Sequence, residues 1–348
     1  MSKLSEKLRK YRRLAEAFRA FSGCMKNGTY LPDWSLTTAS LRRKDADDAE
    51  VRSFLAANRG NGPLKAFFLN MFRLTNRNCA GEYQCTKMLL TEGGAVKGFD
   101  FAKGVVRSLF PTEEDAERFI RRKEHAAALF PTAKTIDFQK DKRSVTEELL
   151  RDDGTDVETK FRAVLLFCAQ MSDDGKRTEY RCPIFRSDGQ IGEVFEKTLA
   201  GAERTYGQLH SRIQHGDLWD GNVFLHGGTL RFIDFDKMKE HMCFYDMLLY
   251  IFTEAFVNRD LTLLKQYLAG EYHKAMCGIL KADESEVLDY ETIFVIFLNE
   301  MFLDRFRNAD RGFLTQVLDA VQSWGIRLVR QSGSGNGVAA GGKEGAGA

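Results

Sequence analysis

The chain has 348 residues, and its 51 lysines and arginines nearly balance 49 aspartates and glutamates, leaving a formal net charge of +2. So small a charge produces no long-range basic field and excludes nucleic acid as an expected partner. Seven cysteines, odd in number and without C-x-x-C spacing, exclude a zinc framework and read as buried thiols in a reducing, cytoplasmic compartment; no apolar run is long enough for a membrane span or a secretory leader.

Residues 4–21 read as an amphipathic helix, because Leu8, Tyr11, Leu14, Phe18 and Phe21 recur at three- and four-residue steps. The opposite face is basic, with Lys7, Lys10, Arg12, Arg13 and Arg19. Such a helix either docks by its apolar stripe or lies on an anionic membrane surface, and docking is the expected outcome. Residues 28–34, with Pro32, read as a turn; 45–57 read as a second helix, and Arg59-Gly60-Asn61-Gly62-Pro63 as a break. Residues 1–78 are therefore expected to form a helical extension. In 79–150 the pattern turns to strands at 83–90, 96–101 and 105–110. Their turns fall at Glu92-Gly93-Gly94 and Ala102-Lys103-Gly104. A helix over 112–129 lies between Pro111 and Pro131, and strands at 136–138 and 144–147 complete a small β-rich domain. From residue 159 the chain reads as helical: 161–171, then 193–212 running directly into the next motif, then 247–256, 261–280, 285–306 and 313–329. Phe294, Phe297 and Met301 have core spacing, and the Gly- and Ala-rich stretch 332–348 is expected to be a disordered tail.

The chemistry is concentrated in His215-Gly216-Asp217-Leu218-Trp219-Asp220-Gly221-Asn222 and in Ile233-Asp234-Phe235-Asp236. Between them, 223–226 and 229–233 read as two short strands joined by Gly227-Gly228. A hairpin returns its ends to one place, so Asn222 is expected beside Asp234. An amide and an acid so placed suit a hard divalent cation that also takes phosphate oxygens and water. Asp217 is then free to orient and deprotonate a hydroxyl.

This pattern resembles the Brenner-type motif of the aminoglycoside phosphotransferase and choline kinase superfamily, with Gly216 where protein kinases carry arginine. Strong resemblance covers residues 215–256. It implies an α+β, bilobal protein-kinase-like fold, with a β-rich N-lobe over 79–150 and a helical C-lobe over 151–331. It also implies ATP and Mg²⁺ as cofactors and a small-molecule hydroxyl acceptor: a sugar, a glycan precursor, an aminoglycoside or an amino alcohol. Carried over residue by residue, Asp217 resembles the catalytic base and Asn222 and Asp234 the metal ligands. Asp246 resembles the later acid that buttresses the loop; His215 reads from its place in the loop as packing and hydrogen-bonding support, and Asp236, without a family equivalent, is a lesser metal or substrate candidate. Glu148 and Leu149 stand where a hinge would meet adenine. The cation that grips the phosphates is Arg107 or Lys97, and its helical partner acid Glu113, Glu117 or Glu124. The chain departs from kinase patterns in having no G-x-G-x-x-G, for which Gly93-Gly94 is a weak substitute. A nucleotide-binding pseudokinase or scaffold is accordingly the alternative. A protein kinase is less favoured, because Gly216 and the lack of an A-P-E segment count against it. Glu254, Glu300, Asp304 and Asp310 would suit a cationic acceptor, with Arg305, Arg307 and Arg311 as neighbours able to cancel them.

Overall fold

The computed structural model describes residues 3–34, 39–45, 71–80, 84–91, 94–171, 178–186 and 190–329. The expected helix at 45–57, the break at 59–63 and the tail at 332–348 lie almost wholly outside them. The chain forms two compact units: Met1–Val164 with Asp220–Met238, and Leu165–Trp219 with Lys239–Ala348. It is a mixed α+β protein, with an antiparallel sheet in the first unit and a mainly helical second unit.

Helix α1 (Lys3–Ala20) opens the first unit. Strands β1 (Gly28–Trp34), β2 (Ala39–Arg43), β3 (Leu74–Asn76), β4 (Lys87–Leu90), β5 (Val96–Asp100) and β6 (Val105–Leu109) follow. Helix α2 (Glu113–Ala127), strands β7 (Thr135–Gln139) and β8 (Ser144–Glu148) and helix α3 (Val157–Gln170) come next. The eight strands form one sheet in the order β3-β1-β2-β4-β5-β6-β8-β7, every pairing antiparallel.

Residues 28–34 are thus a strand rather than the expected turn. Tyr30 is fully buried and its hydroxyl donates to the Lys26 and Cys85 carbonyls at 2.7 and 2.9 Å, so tertiary packing overrides the turn signal of Pro32. The segment 1–78 is likewise no separate helical extension, since β1, β2 and β3 belong to the same sheet. Helix α1 docks by its apolar stripe: Leu14 and Phe18 are buried with Tyr30, Leu41, Met88 and Val96, while Arg12, Arg13 and Arg19 face solvent. Burying a large apolar side chain contributes about 1.5–3 kcal/mol, which is why this face is covered. Helix α2 starts where the sequence indicates. Thr112 Oγ1 accepts from Asp115 N at 3.1 Å, acids fill the first turn and His125 the last.

In the second unit the expected helix over 193–212 is broken into Gln190–Thr198 and Glu203–Gln208, followed by a strand, His210–Gln214. Gly201 takes a left-handed φ of 88° that no helix continues through. The strand then pairs with Lys239–Met242 in antiparallel register and enters the motif loop. The later helices run Tyr245–Thr253, Thr262–Leu268, His273–Leu280, Tyr290–Arg305 and Arg311–Ser323. Phe294, Phe297 and Met301 are fully buried in their core, as their spacing indicates. Among the described residues no helix is long and apolar enough to cross a membrane.

Candidate functional site

The motif divides between the two units: Asn222 and Asp234 belong to the first, Asp217 to the second.

In the first unit, Val223–His226 and Thr229–Phe232 form the expected hairpin, in register Val223↔Phe232 to His226↔Thr229. Gly227 and Gly228 take φ of 57° and 71°, the mirror-image turn that matches strand twist and that side chains resist. The Asp153 carboxylate accepts from both glycine amides, at 3.1 and 2.8 Å, and these bonds hold its pKa below the ordinary value. At the open end of the hairpin the Ile233 amide donates to the Asn222 carbonyl at 3.2 Å, so Asn222 is joined through the backbone to the residue preceding Asp234. Asn222 is buried and Asp234 exposed. Asp234 adopts φ 66° and ψ 65°, a left-handed conformation uncommon for a non-glycine residue, and the next residue, Phe235, turns into the core against Phe130. Packing of Phe235 holds this sparsely populated backbone conformation in place. Asp236, the lesser candidate, is exposed and pairs with Arg122 of α2.

Two buried cations brace the same unit. Lys160 of α3 has a side chain only 6% exposed, and it bridges Asp152 at 3.0 Å and Asp220 at 2.7 Å. It thereby fastens the short turn Asp220–Asn222. Burial by itself would lower the Lys160 pKa, but the hydrogen bonds and charges of Asp220 and Asp152 outweigh it and raise it. Lys123 of α2 pairs with Glu147 of β8. In this pair the helix supplies the cation and the strand the acid. Glu117 instead pairs with Lys140 and Arg121 at the surface, and Glu113 and Glu124 are exposed.

Sheet register separates the two candidate phosphate cations. Arg107 stands opposite Gly98 and Thr146, on the face carrying Met88 and Val96. It donates to Ser144 Oγ at 3.2 Å and borders a small apolar cavity with Phe21, Met25 and Cys85. Lys97 stands opposite Ser108 and Leu89, on the face of Phe99, Val106 and Glu147. Among the described residues Lys97 is partly exposed and has no hydrogen-bond or ion-pair partner. The hinge-like residues are largely committed. Glu148 N donates to the Lys134 carbonyl at 2.9 Å, Leu149 N donates to the Gly104 carbonyl at 2.8 Å, and the Leu149 side chain is buried.

In the second unit, Asp246 anchors the loop that carries Asp217. The amides of His215 and Gly216 donate to its two oxygens at 2.6 and 2.8 Å, and both Asp246 and His215 are buried. Gly216 has φ 75°, which is why arginine at this position would be strained. His215 Nδ1 accepts from the Asp217 amide at 3.3 Å. Asp217 Oδ1 accepts from Arg305 Nη2 at 2.8 Å, and the same nitrogen donates to the Gly216 carbonyl. The sequence contains Lys123, Lys160 and Arg305 but gives no direct sign of these pairings. The signal available was a lysine on the apolar face of its helix, in step with Ala116 and Ala126.

No protein-family model matches the chain, and no curated protein matches it by sequence. Its structure is similar to choline kinase LicA from Streptococcus pneumoniae, at 13% identity over 67% of this chain and 90% of that one, with a TM-score of 0.39. It is similar to amicoumacin kinase hAmiN in complex with AMP-PNP, Ca²⁺ and Ami, at 11% identity over 92% and 95% of the two chains, TM-score 0.41. A third similar structure is an aminoglycoside phosphotransferase from Streptomyces rimosus, at 13% identity over 86% and 98%, TM-score 0.37. The likeness to these small-molecule kinases is distant.

Proposed function

We propose that this chain is an ATP- and Mg²⁺-dependent phosphotransferase acting on a hydroxyl of a small molecule. The observation that carries this reading is the hairpin that joins Asn222 through the backbone to the residue before Asp234, with Asp234 in a left-handed conformation. An amide oxygen and a carboxylate suit Mg²⁺, which keeps waters and takes phosphate oxygens in its remaining positions. When bound, the ion neutralises charge on the phosphates during transfer. Asp217 takes the acceptor proton as the oxygen–phosphorus bond forms and ADP leaves. Asp246 holds the loop in shape, and Lys97 rather than Arg107 meets the phosphates.

Titration calorimetry with MgATP, together with ADP release over a panel of hydroxyl compounds, tests the reading. Asp217→Asn is expected to keep nucleotide affinity and to lose about 10²- to 10⁴-fold in turnover. Asp234→Asn is expected to lose the Mg²⁺-dependent part of nucleotide affinity. Unchanged turnover in the first variant, or unchanged affinity in the second, overturns the assigned roles. MgATP binding without ADP release from any acceptor would favour the nucleotide-binding scaffold.

A further inference from the structure

Resting on the phosphotransferase reading, we infer that the acceptor is an anionic hydroxyl compound, one bearing a carboxylate or phosphate group, and that Arg305 recognises that group. If Asp217 is the base, the acceptor hydroxyl comes within hydrogen-bond reach of it. The acceptor then lies within a few ångströms of Arg305, which is 2.8 Å from Asp217. Arg305 has a side chain 24% exposed. Its Nη2 serves Asp217 and Gly216, and its Nε donates to Tyr245 Oη at 3.4 Å. Among the described residues nothing accepts from its Nη1. Of the five N–H groups of the guanidinium, the two on Nη1 are therefore left beside the base, enough to donate to an anionic oxygen of the acceptor.

The acids that could have welcomed a cation are already engaged. Glu300 accepts from Tyr180 Oη and pairs with His241, each at 2.8 Å. Asp304 pairs with Lys239 and accepts from Tyr245 Oη at 3.3 Å. Glu254 is buried against Asn258, and Asp310 caps the helix Arg311–Ser323 by accepting from Phe313 N. Arg307 and Arg311 are exposed and, among the described residues, have no partner. A quaternary ammonium or polyamine would therefore find no acid without a partner among these, while Arg305 keeps Nη1 for an anionic oxygen. In the transfer itself the acceptor's O–H proton passes to Asp217, its oxygen bonds to the terminal phosphorus of ATP, and the bond to the bridging oxygen breaks to release ADP.

The test is ADP release by the full chain with gluconate, glucose 6-phosphate, glucose, choline and kanamycin. Calorimetric binding of each compound is measured alongside. At least one anionic compound is expected to exceed glucose by about tenfold or more in kcat/KM, with the two cations lowest. Comparison of the gluconate and glucose 6-phosphate arms separates carboxylate from phosphate. The KM of the anionic acceptor should rise with ionic strength while that of glucose stays level. Arg305→Lys lowers turnover of every acceptor through its contact with Asp217, but should raise the anionic KM about tenfold more than the KM for glucose, with the MgATP affinity in place. Preference for choline or kanamycin, or an anionic KM insensitive to salt, overturns the inference while leaving the kinase reading standing. Absence of anion binding in calorimetry overturns it as well. A chain that binds no MgATP loses both.

Discussion

Replacing Lys160 by methionine keeps most of the side-chain volume and removes one buried charge. In the wild type, two carboxylates lie 3.0 and 2.7 Å from the Lys160 ammonium. At an effective dielectric of about 20 each pair is worth about 5–6 kcal/mol before any cost of desolvation is subtracted. Asp152 and Asp220 keep 27% and 32% of their side-chain surface and can recover some hydration in the variant. The net loss should therefore fall near the lower end of the range for breaking a buried pair, about 3 kcal/mol. That corresponds to a fall of roughly 6–12 °C in melting temperature. Differential scanning calorimetry measures it, and neutralising the stranded acid in Lys160→Met with Asp220→Asn should recover part of the loss. The wild type adds a dependence on pH. Because folding raises the Lys160 pKa, its contribution is complete below the ordinary lysine value of about 10.4 and disappears as pH climbs through the folded value above it. The melting temperature should fall on that alkaline limb, and the variant should lack that share of the fall. A change below about 2 °C at neutral pH would refute the claim that this cation fastens the Asp220–Asn222 turn.

Three other outcomes follow from the same geometry. Lys123→Met and Glu147→Met should each destabilise the first unit by about 3 kcal/mol. Reversing both residues, Lys123→Glu with Glu147→Lys, should recover more than half of that in denaturant midpoints; equal damage in single and double variants would show that packing, not charge, matters there. Lys97→Met should weaken MgATP binding about tenfold at an unchanged melting temperature, read by calorimetry and thermal shift. Arg107→Met should do the opposite, lowering the melting temperature and sparing affinity, because its fork serves Ser144 beneath α1.

The strands β4 to β6 and helix α2 were legible because each is short, locally patterned and bounded by glycine or proline; β7 and β8 were legible from their apolar–polar pattern alone. The hairpin was legible because Gly227-Gly228 admits only a narrow set of turns. β1 was not, since Pro32 signals a turn locally and only the burial of Tyr30 against α1 and β4 reverses that. The strand at His210–Gln214 was hidden by a helical run of apolar residues on either side of Gly201, and its pairing partner, Lys239–Met242, lies 25 or more residues onward. The position of Asn222 and Asp234 at the two ends of the hairpin, and the attachment of Asp246 to the loop before it, follow from residue type and spacing. The ion pairs around them were not legible: Lys160 fastens Asp220 and Arg305 meets Asp217, and Lys123 meets Glu147 in the sheet, at separations of 60, 88 and 24 residues, distances over which one sequence gives no pairing information.

The chain passes from one unit to the other three times, after Val164, after Trp219 and after Met238. The first unit therefore closes only when residues 220–238 arrive to cover Phe130 and Pro131, where Phe232 packs and donates its amide at 2.8 Å. During synthesis the sheet must wait, with that apolar edge bare, while the intervening segment emerges from the ribosome. A shortened gene ending near codon 164 should accordingly yield inclusion bodies, and supplying the missing stretch through a grafted linker is the rational way to obtain that unit alone.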